Sequence, residues 1–334
     1  MGELGIIRRI RDAVGTGASP GVGTGIGDDT AVLAVSGGAA LLATTDLVVE
    51  DVHFRRASAA PRDIGWKAMA VNLSDIAAMG GIPRWALVAM ALPPSTELAE
   101  IDAFYSGMLE AAAPHGVVIV GGDTSASPDG WMINVTVLGE HMGTPKLRSA
   151  AVPGDAIAVT GTLGRSAAGL ALLEMGGRTA PGLSARARGD LTGAHLRPVA
   201  RLAEGRWLGG QPGVHAMMDL SDGLTTDLAH LCRESGVGAR VMLDLLPVAP
   251  AAREAAQALG KDSLEWAAGG GEDYELLLTC EPGAADSLAR GLAGATGTAL
   301  TVIGRIERAE AAVTYVDARG EPVALRTGYQ HFDG

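Results

Sequence analysis

Asn72-Leu73-Ser74-Asp75 and Asp219-Leu220-Ser221-Asp222 repeat one x-Leu-Ser-Asp core in the two halves of this sequence. The first copy lies inside an apolar run that starts near Pro61 and stops at Gly80-Gly81, which predicts a helix over 61–79. The second copy precedes Gly223-Leu224 and reads as the opening of another helix, whose N-terminal amides favour an anion. A second echo pairs Gly121-Gly122-Asp123 with Gly270-Gly271-Glu272-Asp273, each a Gly-Gly-acid corner. Two related α/β domains facing a shared cleft explain both echoes, and a ligand belongs in that cleft. The break falls near Ala150, where Val152-Pro153-Gly154-Asp155 makes a turn. The expected division is therefore 1–149 and 150–334.

Working outward, strands are predicted over 31–35, 40–48, 85–92, 117–120 and 132–138. A helix over 96–113 takes Thr96 as its N-cap. Later strands are predicted over 156–160, 240–243, 274–279, 300–306 and 313–316, with helices between. Residues 176–195 are rich in Gly, Arg and Pro and read as an exposed loop.

Composition limits the function. The 334 residues are 47% hydrophobic and 19% charged, which is a globular rather than a disordered balance. A net charge of −12 disfavours a nucleic-acid or anionic-membrane surface. Lysine occurs only at Lys67, Lys146 and Lys261, so arginine carries most positive charge. Cys232 and Cys280 form no CxxC and read as core residues in a reducing compartment. The first residues show no signal-peptide pattern and no run reaches transmembrane length, so the expected location is cytoplasmic.

The chemistry is carried by short acids set beside glycines and hydroxyls: Asp28-Asp29, Thr44-Thr45-Asp46, Asp75, Asp123, Asp219, Asp222 and Glu272-Asp273. Carboxylates gathered this way repel, so a stable cluster needs cations between them. Hard oxygen ligands favour Mg²⁺, which commonly serves a phosphorylated substrate. The glycine-rich stretch Gly21–Gly27 is neither a Walker A loop nor a Rossmann fingerprint, because no Gly-Lys-Ser/Thr and no helix follow it. Asp75 sits among apolar helical residues and needs a partner, for which a metal is the better reading. The glycines before Asp123 would let a phosphate approach the backbone. His53 lies close enough in sequence to Asp46 to meet an anionic substrate.

In this order and spacing the motifs resemble the thiamine-monophosphate kinase family, within the ATP-binding superfamily that also holds aminoimidazole ribonucleotide synthetase. The most specific parts are Ala70-Val71-Asn72-Leu73-Ser74-Asp75-Ile76-Ala77-Ala78-Met79-Gly80 and Gly269-Gly270-Gly271-Glu272-Asp273-Tyr274-Glu275-Leu276. The resemblance implies ATP as co-substrate, thiamine monophosphate as acceptor, several Mg²⁺ ions and a homodimer paired through the N-terminal domain. It implies metal ligation by Asp29, Thr44, Thr45, Asp46, Asp75, Asp123, Asp219 and Asp222, with Asp222, Asp123 and Asp46 at the chemistry. Nucleotide contacts would be Gly122, Asp123, Arg148, Ser221 and Tyr105; acceptor contacts would be His53, Glu272 and Tyr329. Alternatives are another superfamily enzyme, such as aminoimidazole ribonucleotide synthetase, or a non-catalytic sensor of ATP or thiamine phosphate.

Overall fold

The computed structural model describes residues 22–24, 28–34, 40–176, 178, 180–308, 312–325 and 328. Two six-stranded sheets organise them, one in each of two related α/β domains. The first contains β1 (Val22–Thr24), β2 (Ala31–Ala34), β3 (Ala40–Val49), β4 (Ile82–Leu92), β5 (Val118–Ala126) and β6 (Met132–His141), in the order β1-β2-β3-β6-β4-β5. The second contains β7 (Ala156–Thr160), β8 (Val214–Asp219), β9 (Gly238–Met242), β10 (Leu276–Cys280), β11 (Leu300–Glu307) and β12 (Val313–Val316), in the order β12-β9-β11-β7-β10-β8. The kinship shows in the pairing. β6 lies antiparallel between β3 and β4, as β10 does between β7 and β8.

Alternation decides what each face of the first sheet meets. Ala86, Val88, Met90, Ile133, Val135 and Val137 are buried under helices α1 (Pro61–Ala78) and α2 (Leu98–Ala112). The opposite face keeps Leu47, Trp85, Leu87, Val118, Val120 and Met132 exposed. Helix α1 is apolar nearly all round because it is covered on both sides. It packs on β3 and β6 of its own sheet, and on β8 and α5 (Leu202–Gly209) of the other domain. Its Ile76 and Met79 share one core with Met217, Leu276 and Leu278. The remaining helices are α3 (Arg165–Leu173), α4 (Ala185–Leu196), α6 (Leu224–Ser235), α7 (Pro250–Leu259), α8 (Ser263–Gly269) and α9 (Ala285–Thr296).

Four local expectations are corrected. Within 176–195, α4 replaces the expected loop: Ser184 caps it, and Ala187, Leu191 and His195 form a buried stripe at four-residue spacing. The N-cap of α2 is Glu97, whose N–H donates to the Glu100 carboxylate at 2.9 Å, while the Thr96 hydroxyl accepts from Trp131 Nε1 at 3.2 Å. Strand β8 escaped the reading altogether. Finally, β5 continues through Gly121-Gly122-Asp123 to Ala126, so no corner forms there. Gly122 is needed for packing: a Cβ at that position would sit 1.8 Å from the Val88 carbonyl oxygen of β4.

Candidate active site

The two x-Leu-Ser-Asp copies occupy different elements, yet they meet. The first sits within α1 and the second runs from the end of β8 into the turn before α6. Ser74 Oγ donates to Asp219 Oδ2 at 2.5 Å, joining one copy to the other across the domains. Beside them, Thr44 Oγ1 on β3 donates to Asp75 Oδ2. Asp29, on the turn before β2, completes a group of three. One carboxylate oxygen each from Asp29, Asp75 and Asp219 lies within 4.8 Å of the others.

That convergence is electrostatically costly, and the acids show it. Burial, then repulsion by Asp46, Asp219 and Asp29, pushes Asp75 well above the usual carboxylate value. Burial, with Asp29 repelling, raises Asp219 to about 8. Burial, again with Asp29 repelling, raises Asp46 to about 6. Asp28 rises to about 7, first by burial and then through Asp29, against the opposing pull of Arg148. One cation offsets part of this. Arg148 Nη2 donates to Asp29 Oδ1, and the Arg148 backbone N–H donates to Asp28 Oδ2 at 3.1 Å. Asp29 Oδ2 is nevertheless buried without a hydrogen-bond partner among the described residues. An orphaned oxygen on Asp29, whose carboxylate gathers with those of Asp75 and Asp219, suits a divalent cation with oxygen ligands, so the donor set fits Mg²⁺.

The other expected residues are distributed as follows. Asp46 lies inside β3, and its charge is felt at Asp75 and Asp219. The Thr45 hydroxyl takes the opposite face of β3, bonding Asn134 Oδ1 and Thr136 Oγ1 at 3.0 Å, away from the cluster. The Asp222 N–H donates to Asp227 Oδ2 at 3.2 Å in the turn before α6, and Ser221 offers its carbonyl to Glu272 N–H at 2.7 Å. His53 sits in the turn after β3, where its Nδ1 accepts the Val49 N–H at 3.0 Å. Tyr105 lies on α2 with its ring edge-to-face against Phe104. Tyr329 lies outside the described residues.

Asp123 is not brought to the cluster within one chain. It pairs with Ala89, which pairs with Asn134, which pairs with Leu47, so Asp123 shares the open face, with β4 and β6 lying between its strand and β3. Thr44 takes the other face, toward α1.

Several residues escaped the sequence reading. Lys67, on α1, donates to both carboxylate oxygens of Glu272 at 3.0 Å. His195 Nδ1 lies 3.1 Å from Glu272 Oε2. Asp227 is buried at the start of α6, holds the N–H groups of Asp222 and Gly223, and is pushed well up by burial and by Asp222. Ser74 belonged to a quoted motif but had no assigned partner. Lysine scarcity was the one available signal for Lys67.

Residues 27–141 match the family AIR synthase related protein, N-terminal domain, and residues 152–317 match AIR synthase related protein, C-terminal domain. The chain therefore belongs to the AIR synthase related family. Within it, the thiamine-monophosphate kinase of Bacillus subtilis (strain 168) is 37% identical over 313 residues, covering 93% of this chain and 94% of that one. The thiamine-monophosphate kinase of Escherichia coli (strain K12) is 38% identical over 336 residues, covering 99% and 98%. The solved structure of AaThiL complexed with AMPPCP and TMP superposes with a TM-score of 0.85 at 35% identity, covering 99% of this chain and 97% of that one.

Proposed function

We propose that this chain is a thiamine-monophosphate kinase, transferring the terminal phosphoryl group of ATP to thiamine monophosphate to give thiamine diphosphate. The observation that carries the reading is the meeting of Asp29, Asp75 and Asp219 from three separate elements, in a chain whose relatives bear that name over nearly their full length. Asp29, Asp46, Asp75, Asp219 and Asp222, with Thr44 and the Thr45 carbonyl, would hold Mg²⁺. When bound, Mg²⁺ neutralises phosphate charge and stabilises the transferring group.

The protein's own part is positioning. A phosphate oxygen is the nucleophile and is already anionic near neutral pH, so no strong general base is required. The obstacle is repulsion between two polyanions held in line. Arg148 is placed to offer a forked phosphate contact once its aspartates take a metal. On this reading Ser221, Gly122 and Tyr105 would contact the nucleotide, and His53, Glu272 and Tyr329 the acceptor. The domain division stays at 149/150, and the reaction is assigned to the cytoplasm, where ATP is supplied and the buried thiols of Cys232 and Cys280 stay unpaired.

The functional unit is a homodimer. The exposed apolar face of the first sheet, from Leu47 to Val118, has the chemistry of a surface that a second copy covers. Asp123 lies on that same face, so its place at the chemistry requires the neighbouring copy. A mass measurement in solution returning a monomer at micromolar concentration would remove both statements.

The activity is tested with purified protein, ATP, Mg²⁺ and thiamine monophosphate, with chromatography of thiamine diphosphate and a thiamine-only control. Product that requires both Mg²⁺ and the monophosphate is expected. ATP binding without product would move the function to another acceptor or to sensing.

A further inference from the structure

Two of the polar contacts that helix α1 makes with the second domain lie on one face, seven residues apart. Ser74 meets Asp219 at one of them. Seven residues earlier, about 10 Å along the axis, Lys67 meets Glu272. The Lys67 side chain is 4% exposed, whereas 25% of the Glu272 side chain is open. The open side faces a cleft of about 260 Å³ whose lining includes Arg165, Asp190, Arg197 and Asp273. A lysine that deep in the interior is stable only with a carboxylate beside it. Lys67 and His195 together hold Glu272 down to about 2, against the upward push of burial.

Glu272 is fixed from every direction. Its φ is +64°, a left-handed backbone that glutamate rarely adopts. Tyr274, two residues on, has φ +50°. Strain of this kind persists only where the surroundings over-determine it. Here the Glu272 N–H donates to the Ser221 carbonyl at 2.7 Å, and the Tyr274 N–H donates to the Leu220 carbonyl at 2.9 Å. Asp273 accepts the Gly164 and Ser166 N–H groups at the start of α3, at 2.6 and 3.1 Å. The loop 270–274 is thereby tied to the turn that carries Asp219 and Asp222. Lys67 is the tie that crosses to the helix carrying Asp75.

We propose that Lys67 is a positioning residue for the phosphate acceptor. It fixes Glu272, and through Glu272 it sets where the acceptor lies relative to the Asp75 and Asp219 carboxylates. The proposal rests on the functional reading above and adds what Glu272 presents to the acceptor. The charge of Glu272 is already matched by Lys67, so Glu272 offers the acceptor a fixed hydrogen-bond acceptor rather than an unmatched negative charge for a cationic ring.

The test is steady-state kinetics of the full-length enzyme carrying Lys67→Met, Lys67→Arg, Glu272→Gln and the Lys67→Met/Glu272→Gln pair. Lys67→Met is expected to raise KM for thiamine monophosphate at least tenfold, with kcat and the KM for ATP within threefold of the starting enzyme. Lys67→Arg should recover most of that loss, because it restores the ion pair. In the Glu272→Gln background, Lys67→Met should add less than twofold, since its effect passes through Glu272. If Lys67→Met alone does not fold, the double variant carries neither charge, and its comparison with Glu272→Gln decides the matter. Multiplying effects in the double variant, or equal losses in kcat and both KM values, would overturn the role of Lys67. An unmodified enzyme inert toward thiamine monophosphate overturns the functional reading itself. An active one with an unaffected Lys67→Met overturns only the positioning role.

Discussion

A carboxylate inside a protein needs a proton, a cation or hydrogen-bond donors. Asp219 takes a donor from Ser74, and Asp29 takes Arg148. Asp222 stands in the turn before α6 beside Asp227 and is less buried than Asp219. Asp222→Asn, which keeps the size of a partly exposed side chain, should lower kcat at least about a hundredfold while Tm stays within about 2 °C. Near-wild-type kcat in that variant would sink the assignment. At this scale Asp29, Asp75 and Asp219 were legible, because each stands within two residues of a glycine or a hydroxyl, whereas Asp227 was not read. Their partners were not: Ser74 with Asp219, Lys67 with Glu272 and Arg148 with Asp29 are joined over more than a hundred residues, and local sequence carries no trace of such pairing.

Elements were read well where punctuation was strong. Pro61 and Gly80 bound α1 closely, and β7 and β12 fell on the predicted residues. α4 was missed because glycine and arginine hid a stripe of only three buried residues, and β8 because a short strand buried on both faces has no alternation to read. The crossing of α1 and α2 gives a prediction at this scale. A Cβ at Gly107 would lie 1.8 Å from the Arg62 carbonyl oxygen, and one at Gly65 would lie 1.9 Å from that of Phe104. Alanine is a better helix former than glycine by about 1 kcal/mol. Overpacking against main chain costs about 1–3 kcal/mol or more and has no flexible side chain to absorb it here. Gly107→Ala should thus destabilise by at least about 1 kcal/mol net, read as a lower urea midpoint; an unchanged or raised midpoint would show that the helices separate freely.

For the molecule as a whole, the acidic cluster ties stability to pH. Asp219 at about 8, Asp28 at about 7 and Asp46 at about 6 hold protons more tightly when folded than in the unfolded chain, where an aspartate titrates near about 4. Their contribution is complete below about pH 4 and is lost as pH rises through 6 to 8. Glu272, at about 2, has the opposite sign, and its contribution is lost only in acid, below about pH 4. With chelator present, Tm should fall between pH 5.5 and 8.5. Mg²⁺ at a hundred times its Kd should return about 2.7 kcal/mol at the alkaline end. A pH-independent Tm that ignores Mg²⁺ would refute the cluster as a cation site. The division into two related domains could be read from the repeated motif, but the sharing of one core through α1 could not, since a helix apolar all round does not announce how many sheets it serves.

Arg148 has one more consequence. Lying against Asp28 and Asp29, it acts as a resident counterion, so a newly made chain can close around this acidic site before meeting any divalent metal. On the proposed reading, metal loading would then be an exchange of cations rather than a step of folding, and the guanidinium set free would stand beside the phosphate it is proposed to bind.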